Sequence, residues 1–173
     1  MTHWYILSLV GRDRPGIVAH VTAALYEGGC DLGETSMIRL GDSFTIMMMV
    51  RHEGTVKSLQ GLLATVADSM GLHVHIDKLD GHLHHHVEPD VHITVYGADR
   101  PGIVAHVTGA LAEAGLNIVN LESDVGGSEE KPIYIMEIDG MAGEGIEALE
   151  SALAVVTKEG VEARLTPIDT MIG

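Results

Sequence analysis

A 13-residue segment occurs twice in this chain: Asp13 to Leu25 reads DRPGIVAHVTAAL, and Asp99 to Leu111 reads DRPGIVAHVTGAL. Only Ala23 against Gly109 differs, and the copies stand 86 residues apart in a chain of 173. That spacing is too long for a solenoid unit and fits a duplicated small domain. The chain is therefore expected to fold twice into one pattern. The first domain covers residues 1–80, a His-rich linker 81–90 and the second domain 91–173. A domain of this size buries only about 60% of the surface that its unfolded chain exposes. Association between the halves, and into a homo-oligomer, is expected to make up the difference.

Each half shows the same order of signals. His3 to Val10 is a β-type run, and the loop Gly11-Arg12-Asp13-Arg14 follows it. Pro15 then opens a helix, where its fixed φ and missing N–H are tolerated. Ile17, Val18, Val21, Ala24 and Leu25 make one apolar helical stripe, and Gly28-Gly29 ends it. Asp31 to Leu40 and Ser43 to Arg51 read as strands joined by the turn Gly41-Asp42. A helix over Thr55 to Met70 and a closing strand over Leu72 to Leu79 complete the unit. In the second half the matching segments are Val91 to Tyr96, Pro101 to Ala114, Asn117 to Val125, Ile133 to Asp139, Gly145 to Lys158 and Val161 to Thr166. The loop over residues 126–132 is expected to be longer than its first-half counterpart, and mobile.

The order β-α-β-β-α-β predicts an α+β fold: two ferredoxin-like domains, each a four-stranded antiparallel sheet with two helices on one face. Aromatic residues are only 3% of the chain, so Ile, Val, Leu, Met and Ala must fill the two cores. The run Ile46-Met47-Met48-Met49-Val50 does not alternate as a half-solvated strand should. Part of its second face, or its edge, is expected to be covered by the sister domain or another subunit.

Charge excludes one class of partner. Twenty-five acidic residues against 10 basic ones give a formal net charge of −15, which repels phosphate backbones. Direct binding to nucleic acid is not expected. The chain begins with neither a basic leader nor a long apolar segment, so no membrane association and a cytoplasmic location are expected. Cys30 is the single cysteine; it leaves no disulfide framework and reads as an inert buried thiol.

The repeated loop carries the chemistry. Gly16 permits close approach of a ligand to the backbone, and the free N–H groups of the first helical turn are donors for a carboxylate. Asp13 offers a carboxylate to an ammonium. Together these features match a free amino acid. The same aspartates, Asp13 and Asp99, also fit a plainer role as helix caps.

DRPGIVA after a short strand, followed by Gly28-Gly29-Cys30-Asp31 or by Ala114-Gly115-Leu116-Asn117-Ile118, closely resembles the ACT domain family of small-molecule sensors. The resemblance covers both halves. Within that family, the stand-alone tandem and the long second hairpin, ending in Lys131-Pro132-Ile133-Tyr134, look most like the glycine cleavage system transcriptional repressor group. The resemblance implies a ligand, often an amino acid, held between paired domains near the first loop and the start of the second strand. The ligand-binding positions it implies are Gly11, Asp13, Arg14 and Gly16 with Asp31 in the first half. In the second they are Gly97, Asp99, Arg100 and Gly102 with Asn117 and Ile118. Asp31, where the second copy has the usual Asn117, points to a first site with a different ligand or none. Arg14 and Arg100 read equally as solvated loop charges.

No catalytic constellation and no cofactor motif stands out. His82, His84, His85 and His86 read as a solvated linker rather than a metal site, because a flexible tract guarantees no convergent second shell. His20 and His106 sit at the edge of the apolar stripe of each first helix and read as boundary residues rather than ligands. His73, His75 and Asp77 share one strand face, and a polar solvated face accounts for them. The functional expectation is a non-enzymatic regulator that senses a small amino acid, glycine or serine first, and acts through a protein partner, as a glycine cleavage system co-repressor would. The alternative is a detached regulatory subunit of an enzyme of amino-acid or one-carbon metabolism. Formyltetrahydrofolate deformylases and serine phosphatases carry similar DRPG domains.

Overall fold

A computed structural model describes residues 2–79, 87–98 and 101–168. The chain divides into two compact units, Met1–Leu83 and His84–Gly173. In the first, the elements run β1 (His3–Arg12), α1 (Ile17–Glu27), β2 (Asp31–Leu40), β3 (Ser43–His52), α2 (Val56–Met70) and β4 (His73–Lys78). In the second they run β5 (Val91–Ala98), α3 (Ile103–Glu113), β6 (Leu116–Ser128), β7 (Lys131–Ala142), α4 (Ile146–Thr157) and β8 (Val161–Pro167). Both sheets are four-stranded and antiparallel, in the orders β2-β3-β1-β4 and β6-β7-β5-β8. This is the expected α+β, ferredoxin-like arrangement, made twice.

Period-2 alternation builds the floor of the first core. Tyr5, Leu7 and Leu9 of β1, with Phe44, Ile46, Met48 and Val50 of β3, are buried. They meet the α1 stripe Ile17, Val21 and Leu25, together with Leu59 and Leu63 of α2. The second core repeats the plan with Val91, Ile93 and Val95 against Ile103, Val107, Leu111, Leu149 and Leu153. The apolar run of β3 thus resolves into alternation: Ile46, Met48 and Val50 point inward, and Met47 stays 47% exposed. At the sheet's edge, all ten residues of β2 are exposed, Leu40 at 75%.

Two expectations are corrected. Pro15 does not open the first helix. Gly16 caps it at φ 87°, and because that left-handed conformation cannot lie within a right-handed helix, α1 begins only at Ile17. Gly102, at φ 88°, sets the start of α3 at Ile103 in the same way. The second correction concerns residues 126–132, which form no long loop. β6 and β7 stay in register out to Ser128 opposite Lys131, leaving Glu129-Glu130 as the turn. Gly127, at φ 85°, admits this close return: a β-carbon there would lie 2.5 Å from the Lys131 carbonyl oxygen. Lys131 N–H donates to Ser128 Oγ at 3.2 Å and closes the turn.

Burial separates Leu9, on an interior strand of the first sheet, from Leu40 at its edge. Leu9→Ala is expected to cost about 2–5 kcal/mol through a core cavity. Leu40→Ala should stay within about 0.5 kcal/mol. Urea unfolding of the two variants checks the ordering.

Candidate functional site

In the first unit β1 delivers Gly11 and Arg12 to the corner where Asp13, Arg14, Pro15 and Gly16 lead into α1. Asp13 N–H donates to the Asp42 carbonyl at 2.8 Å and ties the corner to the β2–β3 turn. No side chain caps α1, so Asp13 is not a helix cap. Instead its Oδ2 accepts from Arg39 Nε at 2.8 Å, across from β2, with the Asp13 side chain 32% exposed. Arg12 Nη2 lies 3.8 Å from Asp42 Oδ2. His20 Nδ1–H donates to the Gly16 carbonyl at 2.7 Å and packs against the corner from one turn into the helix.

Asp31 stands at the other end of the same sheet. Gly11, Phe44 and Arg39 share one register row, whereas Trp4, Arg51 and Asp31 share another. The rows are seven residues apart along β1, about 23 Å at about 3.3 Å per residue. Asp31 accepts from Arg51 through both Nε, at 2.9 Å, and Nη2. The Arg51 guanidinium lies 5.9 Å from the centre of the Trp4 ring, a cation–π position. The loop residues and Asp31 therefore do not meet within one domain.

The second unit divides in the same way. Gly97 pairs with Tyr134, while Asn117 and Ile118 pair with Met141 and Gly140, some six residues, or about 20 Å, along the sheet. Asn117 is exposed, and Ile118 packs partly buried against the core. Asp99, Arg100 and the linker residues His82, His84, His85 and His86 lie outside the described residues. Gly11 and Gly97 are also packing positions. A β-carbon would meet Leu72 Cδ2 at 2.7 Å in the first case and Ile103 Cδ1 at 3.0 Å in the second.

Beside Gly102 lies a cavity of about 150 Å³. Pro101, Gly102, His106, Val107, Glu159 and Val161 are among its walls, and His106 Nδ1 sits 3.4 Å from Glu159 Oε2. Sequence reading placed His106 at the edge of the helix's apolar stripe and missed this role. The available signal was its position four residues after the cap glycine, one turn above the helix start.

Several other polar groups have local partners. Ser58 O–H donates to the Thr55 carbonyl at 2.8 Å while Oγ accepts from Thr55 N–H at 2.8 Å. With that hydroxyl proton used, His52 Nε2–H donates to Ser58 Oγ at 2.9 Å, and Nδ1 accepts from the Cys30 thiol at 3.4 Å. Burial, and then the Asp31 charge, push the Cys30 thiol above its ordinary range, so it stays protonated. His75 donates to Asp77 at 2.8 Å on an exposed face. Among the described residues no three His, Cys, Asp or Glu side chains converge on a metal position. On the second sheet His92 Nδ1–H donates to Asp139 at 2.6 Å, and its Nε2 accepts from Thr94 at 3.3 Å, a trio that sequence reading did not anticipate.

Family models for the ACT domain match residues 3–77 and 91–156. Both halves belong to the ACT domain family. This ACT tandem is 23% identical over 122 residues to the glycine cleavage system transcriptional repressor of Escherichia coli, across 70% of this chain and 64% of that one. The chain thus aligns with somewhat less than two thirds of that relative's length. A solved protein of unknown function from Galdieria sulphuraria superposes with TM-score 0.79 at 24% identity, over 98% of this chain and all of that one. A structure assigned to the glycine cleavage repressors superposes with TM-score 0.73 at 20% identity, over 98% of this chain and 99% of that one. The family models establish the ACT tandem, and the chain is similar in sequence to the repressor.

The two cap glycines test the corner's backbone. Alanine at a left-handed position costs about 1–2 kcal/mol. Gly16→Ala should cost more than Gly102→Ala, because its methyl group would sit 3.1 Å from the His20 ring, against 4.0 Å for His106. Denaturant melts of both variants give the comparison.

Proposed function

We propose that this ACT tandem is a non-enzymatic sensor of a small amino acid, glycine or serine first, that acts through a protein partner. The observation that carries the reading is the α1 and α3 start: each helix has a glycine cap and no side-chain cap on its first-turn N–H groups. A ligand carboxylate fits those donors and the positive end of the helix dipole. The ligand ammonium would pair with the neighbouring aspartate. Because the loop and the start of the second strand lie at opposite ends of each sheet, one ligand can touch both only if two domains meet. A second copy of the chain would supply the other end, which makes the protein a homo-oligomer.

Ligand binding would then favour one packing of the domains over another, and so expose or hide a surface for the protein partner. The likeness to the glycine cleavage repressor supports a co-repressor role in which the partner, not this chain, meets DNA. Among the described residues no helix is long and apolar enough to cross a membrane. The reading places the sensor in the cytoplasm, with no cofactor.

Glycine and serine are expected to raise the melting temperature, since a ligand bound only to the folded state stabilises it by mass action. Asp99→Ala and Asn117→Ala should shrink that rise. If no amino acid moves the wild-type curve, the sensor reading fails. At a net charge of −15 the purified chain should also show no retention on duplex DNA at physiological salt. Salt-dependent retention of the chain alone would remove the need for a partner.

A further inference from the structure

The two loops carry the same DRPG motif, yet the strands around them differ. At the register position of Arg39 the second unit has Val125: Arg39 pairs with Phe44 opposite Gly11, and Val125 pairs with Tyr134 opposite Gly97. At the other end, Asp31 pairs with Arg51 where Asn117 pairs with Met141. Arg12, which reaches Asp42, corresponds in sequence to Ala98. Each acid of the first unit placed to face a ligand, Asp13 or Asp31, is thus held by an arginine of its own sheet. The second unit has the uncharged Val125 and Met141 at the positions of those two arginines.

We propose that Arg39 and Arg51 close the first unit to the amino-acid ligand and leave it to the second unit alone. This rests on the sensor reading above. An ammonium arriving at Asp13 meets a carboxylate whose Oδ2 is already paired with the Arg39 guanidinium at 2.8 Å, its charge largely offset. Arg39 is tethered beside that carboxylate, at high effective concentration. Arg12, which stands where the second unit has Ala98, adds positive charge to the corner, offset in part by Asp42. At Asp31 the Arg51 side chain is steadied by Trp4 and occupies the carboxylate from two nitrogens.

Calorimetric titration of the full chain with glycine and with serine tests this. The wild type should bind one molecule per chain. The variant Arg39→Val/Arg51→Met, which places the second unit's residues in the first, should bind two. A surface cation of this kind is worth roughly fivefold in affinity, so removing both should tighten the first site by roughly 25-fold. The reciprocal Val125→Arg should weaken the single wild-type site by roughly fivefold or more. Two equal sites in the wild type, or a folded double variant still binding one, would overturn the proposal while the sensor reading stands. If the double variant does not fold, an unchanged affinity in Val125→Arg overturns it instead. Absence of binding in every variant overturns both readings.

Discussion

One apolar seam holds each unit together, and every polar feature takes its place from it. In the first unit Leu7, Leu9, Ile46 and Met48 lie under Ile17, Val21, Leu25, Leu59 and Leu63. A one-residue slip of β1 against β3 would turn these side chains to the open face, so burial pins the register. Once the register is pinned, the end of β1, the cap glycine and the facing end of β2 have no freedom to choose different neighbours. The corner that would take the ligand is a by-product of packing the core.

The corner itself is built by backbone conformation more than by side-chain capping. Gly16 and Gly102 turn the chain at positive φ, and the helices start immediately after them with no side chain on their first donors. Helix starts are usually satisfied by Ser, Thr, Asp or Asn, as Thr55 and Ser58 do for α2 in this same chain. α4 also starts at a glycine, Gly145, without a side-chain cap; what α1 and α3 share with each other alone is the left-handed turn of the cap glycine.

Duplication then allowed the copies to diverge outside the motif. The 13-residue repeat is nearly unchanged, while the strand residues bordering it have exchanged arginine for aliphatic and sulfur side chains. On the open sheet faces the exchange runs the other way. The cross-strand neighbours Ile6 and Met49 of the first unit stand where the second has His92 and Asp139. The same loop sequence therefore adjoins different strand residues in the two units.

The element order and the two-domain division were legible in the amino-acid order; the capping role of Gly16 and Gly102 was not. Apolar periodicity and glycine placement are local signals that a helix or strand carries within itself. The hairpin over 126–132 was not, because whether two strands continue pairing depends on their register and not on the turn residues. The candidate site was legible only in part. Asp13 was visible as a loop acid, but two uses were open to it, ligand partner and helix cap. The cap was removed only when Gly16 was found in that position. Its tie to Arg39, and the distance of Asp31 from it, depend on which residues of β1, β2 and β3 stand opposite each other. Sequence by itself determined what each half would fold into. Tertiary structure alone decided which charges meet, because cross-strand pairing joins residues that no local pattern connects.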